Sequence, residues 1–246
     1  MTTSNPITAL LLDIEGTTTP IDFVYKVLFP YAREHVRDYL ANNAASPIVE
    51  GDIAALIELN KDGVRRGLEP PRVDGSVEEI SLEKLVAYVH WLMDRDSKAT
   101  PLKSIQGRIW EAGYNSGELR SQVFEDVPRA FGRLHKQRRK IFIYSSGSAL
   151  AQKLLFSATQ FGDLTSYISD YFDTNIGAKK ESESYARISK AIAVPAPNIL
   201  FVSDVIDELD AARSAGLETS LCIRPGNHPQ SSQSNHETIR SFDEIA

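Results

Sequence analysis

The chain has 246 residues, enough for one large α/β domain or for a core domain with a smaller inserted one. Its 42% hydrophobic and 24% charged residues are typical of a globular protein, so neither a disordered chain nor a membrane protein is indicated. The net charge of −6 argues against general affinity for nucleic acid, but it allows a small anionic substrate in a pocket with local cations.

The start of the chain and its cysteine content predict a reducing compartment. No basic stretch followed by an apolar one opens the sequence, so a secretory leader is not expected. The single cysteine, Cys222, lies in an apolar run and is expected to be a core residue. We therefore expect a cytoplasmic protein with no membrane or nucleic-acid partner, and leave a nuclear pool open.

The first apolar run, residues 10–12, ends abruptly on two carboxylates, Asp13 and Glu15, and on a turn over 16–20. This pattern predicts a buried strand whose carboxyl end carries the acids, the position at which open α/β sheets bind ligands. Neighbouring carboxylates repel each other unless a cation or a proton compensates them, and Mg²⁺ prefers such oxygen ligands. The alternative is that Asp13 caps a helix within a solvated turn.

After Pro20, apolar residues recur at helical spacing for about a hundred residues. This predicts an all-helical module over 21–123, inserted into a core formed by 1–20 and 124–246. Residues 61–63 (KDG) and 69–72 (EPPR) are predicted loops within the module. Lys103, Gln106 and Trp110 either line a pocket that faces the acids or belong to the module's own core and surface.

Further strands are predicted over 141–144, 171–173, 199–202 and 219–223. The strand over 141–144 is followed by Ser145 and Ser146, and Ser148 is a candidate N-cap of the next helix. Hydroxyl and backbone N–H groups at such a turn can bind an anion.

Two more candidates follow in the second half of the chain. Lys179 and Lys180 lie in a glycine-containing loop, from which a lysine can reach a phosphate; the alternative is an exposed lysine. Asp204 follows the strand over 199–202, where it is either a third site carboxylate or a helix N-cap. A doubly wound parallel sheet brings these groups to one edge, and together they are the components of phosphoryl transfer.

The chain resembles the haloacid dehalogenase superfamily, and more closely the enolase-phosphatase family of methionine salvage. The resemblance runs from about residue 10 to about residue 227. The matching motifs are residues 11–21 (LLDIEGTTTPI), 28–31 (LFPY), 102–107 (LKSIQG), 143–148 (IYSSGS), 179–185 (KKESESY), 203–204 (SD) and 224–227 (RPGN). The superfamily usually has Asp two residues after the nucleophile; Glu15 departs from this pattern, as it does in enolase-phosphatases.

This resemblance implies that Asp13 attacks phosphorus to form an aspartyl phosphate, and that Mg²⁺ is bound by Asp13, Glu15 and Asp204. It also implies a helical cap domain over a haloacid dehalogenase-like core, and a monomer.

The same resemblance assigns the phosphoryl group to Ser145 and Ser146, with Lys179 offsetting its charge. Lys180 stays open as the alternative lysine. The family's substrate is 2,3-diketo-5-methylthiopentyl-1-phosphate, which is enolised and then dephosphorylated to an acireductone. We hypothesise that Glu15 serves as acid and base in this sequence of steps.

Two other functions fit parts of the pattern. A phosphatase or phosphomutase of the same superfamily with another small phosphomonoester would keep all the site groups. A receiver-type signalling module also surrounds a phosphorylated Asp with acids, Ser or Thr and Lys. However, it places an acidic pair first and has no helical insert of this size.

Overall fold

The structure, a computed structural model, describes residues 6–77, 79–227, 229 and 234–245. These residues form a parallel sheet of six strands in the order β3-β2-β1-β4-β5-β6. The strands are Ala9–Leu12 (β1), Lys140–Tyr144 (β2), Ile168–Phe172 (β3), Ile199–Ser203 (β4), Glu218–Cys222 (β5) and Glu237–Ile239 (β6).

Strand β1 lies at the centre of the sheet, between β2 and β4. The chain adds β2 and β3 on one side of β1, and then β4, β5 and β6 on the other. Because parallel crossovers are right-handed, this reversal places connecting helices on both faces of the sheet. The predicted doubly wound α/β fold is confirmed. The reversal also makes the carboxyl end of β1 the point at which ligands bind in such folds.

The helices that accompany the sheet are Asp126–Lys136 (α6), Ala149–Ser157 (α7), Ser182–Ile192 (α8) and Ile206–Ser214 (α9). One face of the sheet packs against α8 and α9 through a single buried cluster. Its members include Leu11, Phe142, Tyr144, Tyr185, Ile188, Phe201 and Leu209. Strand β1 is completely buried, as its uninterrupted apolar sequence predicts. Cys222 is buried at the end of β5, which confirms its place in the core.

The chain divides into two compact units: the segments up to Lys26 and from Leu119 onward form the first, and Val27–Glu118 form the second. A three-residue helix, Ile21–Phe23 (α1), and a π-helix, Val24–Leu28, lead from one to the other. The predicted domain boundaries, at 20/21 and 123/124, lie a few residues away from this division. The role of the second unit as a cap stays a prediction.

The second unit is a bundle of four helices among the described residues: Phe29–Asn43 (α2), Pro47–Arg65 (α3), Leu82–Met93 (α4) and Thr100–Ser116 (α5). Helix α5 packs against α2 and α3, and α2 packs against α4. Trp110 is buried, and its Nε1 donates to the carbonyl of Leu28 at 2.8 Å. Trp110 is therefore part of this unit's core. Gln106 is buried as well, and Lys103 is half-buried.

Two local predictions were wrong, and one strand was missed. Residues 61–63 lie within α3 rather than in a loop, because a single glycine costs a helix only about 1 kcal/mol and α3 continues past it to Arg65. Strand β3 begins at Ile168 and excludes Asp173, whose carboxylate accepts from the backbone N–H of Ala149 and Asn175. The three-residue β6 was not predicted. No helix in the described ranges is long and apolar enough to cross a membrane.

Candidate active site

Asp13 is the first residue beyond β1 and lies at the centre of the site. Its backbone N–H donates to the carbonyl of Val202 at 3.0 Å, which holds it level with the end of β4. The side chain is buried, and Oδ1 accepts from Nζ of Lys179 at 2.6 Å. Oδ2 lies 3.4 Å from the hydroxyl oxygen of Ser203. A buried carboxylate held by a lysine is available as a nucleophile at this edge.

The turn after Asp13 owes its shape to Gly16 and to three buried threonines, residues 17–19. Gly16 has a φ of +69°, a conformation that residues with a β-carbon rarely adopt. The backbone N–H groups of residues 17–19 all donate to the carbonyl of Ile14, at 2.9 to 3.2 Å. The Thr18 hydroxyl also donates to the Asp13 carbonyl at 3.1 Å. The sequence GTTT therefore folds back on the end of β1 and leaves Glu15 half-buried within the turn.

Asp204 reaches the same place from the end of β4. It is buried, and it lies directly against Gly16: a β-carbon on Gly16 would stand 2.8 Å from Cγ of Asp204. Burial, and next the negative charge of Asp13, raise the pKa of Asp204 to about 7. The structure thus brings Asp204 to the turn that carries Glu15, as the sequence predicts. No lysine, arginine or histidine of the described residues forms an ion pair with it.

Lys179 is the lysine that enters the site. Its side chain is only 11% exposed, and Nζ bridges Asp13 at 2.6 Å and Glu208 at 2.7 Å. Burial alone would lower its pKa, but the two carboxylates outweigh burial and raise it, so the lysine stays charged. Lys180 points elsewhere: it is exposed and pairs with Asp207 on the surface. The structure therefore favours Lys179 over the alternative that the sequence left open.

Glu208 is a site residue that sequence analysis missed. It is buried in the first turn of α9, where it accepts from Lys179 and from the Ser203 hydroxyl at 3.0 Å. Burial, and then the charge of Asp13, raise its pKa. The signal that could have found it is its place in the first turn of the helix that begins two residues after Asp204, because the amino end of that helix follows the same edge of the sheet.

Ser145 and Ser146 follow β2, next to β1 in the sheet. The register pairs Leu12 with Ile143, so Ser145 lies one residue beyond the level of Asp13. Its N–H donates to the carbonyl of Phe172 at 3.2 Å, and the hydroxyl accepts from the Gly147 N–H at 3.4 Å. In the described residues no hydrogen bond links either serine to Asp13.

The loop that carries these serines is braced by its neighbours. Ser148 caps α7 by accepting from the Ala151 N–H at 3.3 Å, which confirms its predicted N-cap role. The buried Gln152 of α7 donates to the carbonyl groups of Gly147 and Phe172, both at 2.8 Å. The amino end of α7 therefore faces the same sheet edge as Asp13, and helix amino ends favour anions.

Comparisons with known proteins show the family of the chain. A family model described as "haloacid dehalogenase-like hydrolase" matches residues 7–216. The "Enolase-phosphatase E1" of Synechococcus elongatus is 47% identical over 239 residues, which cover 97% of this chain and 98% of the relative. The chain belongs to the haloacid dehalogenase-like hydrolases. Within them, this identity over nearly the whole length of both proteins places it in the enolase-phosphatase family.

A solved structure has a similar fold. The UTR4 protein of Saccharomyces cerevisiae is 34% identical in sequence and superposes with a TM-score of 0.78. The match covers 97% of this chain and 99% of the yeast chain. A second relative from Synechococcus, also named enolase-phosphatase E1, is 47% identical over the same share of the chain. The chain is thus an enzyme of the phosphatase type.

The charges of this hydrolase site leave room for a cation. Asp13, Asp204 and Glu208 are buried together, and Lys179 supplies one positive charge against them. No group of three His, Cys, Asp or Glu side chains is arranged as a metal site in the described part of the chain. A metal here would therefore also use backbone oxygen, water and substrate as ligands. Mg²⁺ suits such a site, since it binds through one or two carboxylates and keeps several waters.

Proposed function

We propose that this chain is a Mg²⁺-dependent enolase-phosphatase that converts 2,3-diketo-5-methylthiopentyl-1-phosphate to the acireductone and phosphate. The observation that carries the proposal is the buried Asp13 at the end of the central strand. Lys179 holds it at 2.6 Å, and close to it lies a second carboxylate, Asp204, which has no ion-pair partner among the described residues. The family membership supports the substrate. The cytoplasmic location and the monomeric state remain predictions.

In the phosphatase step, a carboxylate oxygen of Asp13 attacks phosphorus, and the ester bond to the enol oxygen breaks. Water then attacks phosphorus of the aspartyl phosphate, which releases phosphate and restores Asp13. Lys179 keeps its charge between Asp13 and Glu208 and stabilises the phosphoryl oxygens. Ser145 and Ser146, at the level just beyond Asp13, hold the phosphoryl group by hydrogen bonds.

Asp13, Asp204 and the backbone at residue 15 would hold the metal ion in this proposal. The site suits a metal ion because the Asp204 carboxyl group lies against Gly16 and has no cationic partner in the described residues. When bound, Mg²⁺ neutralises charge on the phosphoryl oxygens and polarises the diketone.

For the enolase step, we propose Glu15 as the group that removes and returns the proton. It is half-buried in the turn after Asp13, two residues from the proposed nucleophile. Glu15→Gln should then reduce acireductone formation while metal affinity stays within a few-fold. Loss of metal binding in this variant would instead assign the Glu15 side chain as a ligand.

The phosphatase step is tested by trapping the phosphoenzyme. Enzyme turning over the diketo phosphate is quenched in acid, reduced with borohydride, digested and analysed by mass spectrometry. We expect modification at Asp13, none in Asp13→Asn, and wild-type behaviour in Asp207→Asn, whose exposed carboxylate pairs with Lys180. Phosphorylation of Ser145 or Ser146 instead of Asp13 would overturn the assignment of the nucleophile.

A further inference from the structure

The turn over residues 224–227 (RPGN) is fastened to the turn that follows Asp13. Nδ2 of Asn227 donates to the Gly16 carbonyl at 2.9 Å and, less directly, to the Cys222 carbonyl at 3.4 Å. Nε of Arg224 donates to the Thr17 carbonyl at 3.1 Å. Two consecutive carbonyl groups of the catalytic turn are therefore held by residues some two hundred positions later in the sequence.

Arg224 is itself fixed in place. Its two terminal nitrogens donate to both carboxylate oxygens of Asp126, at 3.0 and 2.9 Å, and its guanidinium lies against the rings of Phe124 and Phe242. Both members of the pair are buried. Arg224 thus anchors the turn over 224–227 to the core, and Asn227 is the residue of this turn that extends to the site.

Asn227 has a second polar atom that nothing in the described residues satisfies. Two carbonyl groups accept from its side chain, and this fixes Nδ2 on their side and Oδ1 on the other. Oδ1 is buried and has no hydrogen-bond partner in the part of the chain that the structure describes. A buried acceptor without a partner is costly, so such an atom in a native site calls for a missing donor.

The position of Oδ1 indicates where that donor would lie. A β-carbon on Gly16 would stand 2.9 Å from Oδ1 of Asn227 and 2.8 Å from Cγ of Asp204. Both groups therefore border the same point beside Gly16, and a single water molecule can bridge such a separation. The two side chains approach each other only because Gly16 has no side chain.

We propose that Asn227 is a positioning residue for the metal side of the site. Its Nδ2 holds the Gly16 carbonyl, and so the backbone at residue 15, while its Oδ1 accepts a hydrogen bond from a metal-bound water beside Asp204. This inference rests on the proposed function, because it assumes a divalent cation at Asp13 and Asp204. Outer-shell partners of this kind typically contribute tenfold or more to metal affinity.

The test measures metal binding directly, without turnover. Mn²⁺ is titrated into the full-length chain, and the free ion is followed by its electron paramagnetic resonance signal. We expect Asn227→Ala to weaken Mn²⁺ binding by about tenfold. Asn227→Ser should do so too, and it serves if the alanine variant does not fold.

Asn198→Ala is the matched control, since Nδ2 of Asn198 likewise donates to a backbone carbonyl, that of Pro6 at 2.7 Å, before the start of β4. It should bind Mn²⁺ like the wild type. Equal affinity in wild type and Asn227→Ala, with only a lowered melting temperature, would show that Asn227 is purely structural. Absence of Mn²⁺ binding by the wild type would overturn the metal-dependent function and this inference together.

Discussion

Replacing Asp204 with asparagine should stabilise the metal-free protein while abolishing its activity. Asp204 is buried beside Asp13, and burial together with that negative charge raises its pKa from 3.8 to about 7. Near pH 8 the folded protein must therefore hold an ionised group in an unfavourable place. Asparagine has nearly the same shape and carries no charge.

The size of the effect follows from the pKa difference. When folding raises the pKa of a carboxyl group, its contribution to stability is complete below the pKa of the unfolded chain. This contribution is lost as the pH rises through the pKa of the folded protein. The loss for Asp204 comes to about 4 kcal/mol near pH 8, and to about 2 kcal/mol near pH 5.5, where the folded group is still protonated. The Asp204→Asn variant would escape this loss, so its advantage over the wild type should grow by about 2 kcal/mol between the two conditions.

The assay is urea unfolding of both proteins in EDTA near the two pH values, followed by the same experiment with Mg²⁺ at the higher pH. We expect the variant to unfold at higher urea in EDTA, and expect Mg²⁺ to stabilise only the wild type. A variant that is less stable than the wild type in EDTA near pH 8 would refute the claim that Asp204 is an uncompensated charge awaiting a cation.

Four further substitutions test other parts of the protein, with Lys180→Ala as the control for Lys179→Ala. Lys179→Ala should lower kcat by at least about 100-fold, because it removes the cation between two buried carboxylates. Lys180→Ala, which loses only a surface pair, should stay within about twofold of wild type in the same steady-state assay. Gly16→Ala should lower the free energy of unfolding by about 1–3 kcal/mol in urea and weaken Mn²⁺ binding, because φ is +69° and the new β-carbon would meet Asp204. Wild-type stability and Mn²⁺ affinity in this variant would contradict the geometry of the turn. Asp126→Ala should cost about 3–5 kcal/mol by leaving Arg224 buried and unpaired, and a loss below about 1 kcal/mol would contradict this. Burial opposes the ionisation of Asp126, but its hydrogen bonds to Arg224 outweigh burial and lower its pKa. The ionised Asp126 should therefore stabilise the fold fully at any pH above the ordinary pKa of an aspartate. In an acid titration this stabilisation should disappear as the pH falls through the lowered pKa of the folded state.

Much of the fold could be predicted because its central strands are apolar throughout. Residues 10–12, 141–144 and 199–202 have no alternation of polar residues, and this is typical of strands covered on both faces. The short β6, with the sequence Glu-Thr-Ile, buries one residue out of three and gives no such signal. Residues 61–63 were misinterpreted because the sequence Lys-Asp-Gly is common in loops and is also tolerated near the end of a long helix such as α3.

The site residues that were predicted differ from those that were missed in how much their position depends on local sequence. Asp13 and Asp204 follow apolar strands directly, so their position at the sheet edge is a consequence of local sequence. Glu208 comes four residues after Asp204, on a helix with three acids, and only the contact with Lys179 distinguishes it from its exposed neighbour Asp207. Asn227 depends on a contact across most of the chain length, and local pattern does not contain that information.

The measurement that tests the central claim most directly is product analysis with the diketo phosphate. Acireductone is followed by absorbance and phosphate by a coupled assay in the same reaction, with Mg²⁺, with EDTA and with Asp13→Asn, beside a panel of sugar phosphates. We predict that both products form in equal amounts with Mg²⁺ and that neither forms with EDTA or with the variant. Phosphate release from the sugar phosphates alone, with no acireductone from the diketo phosphate, would contradict the proposed function.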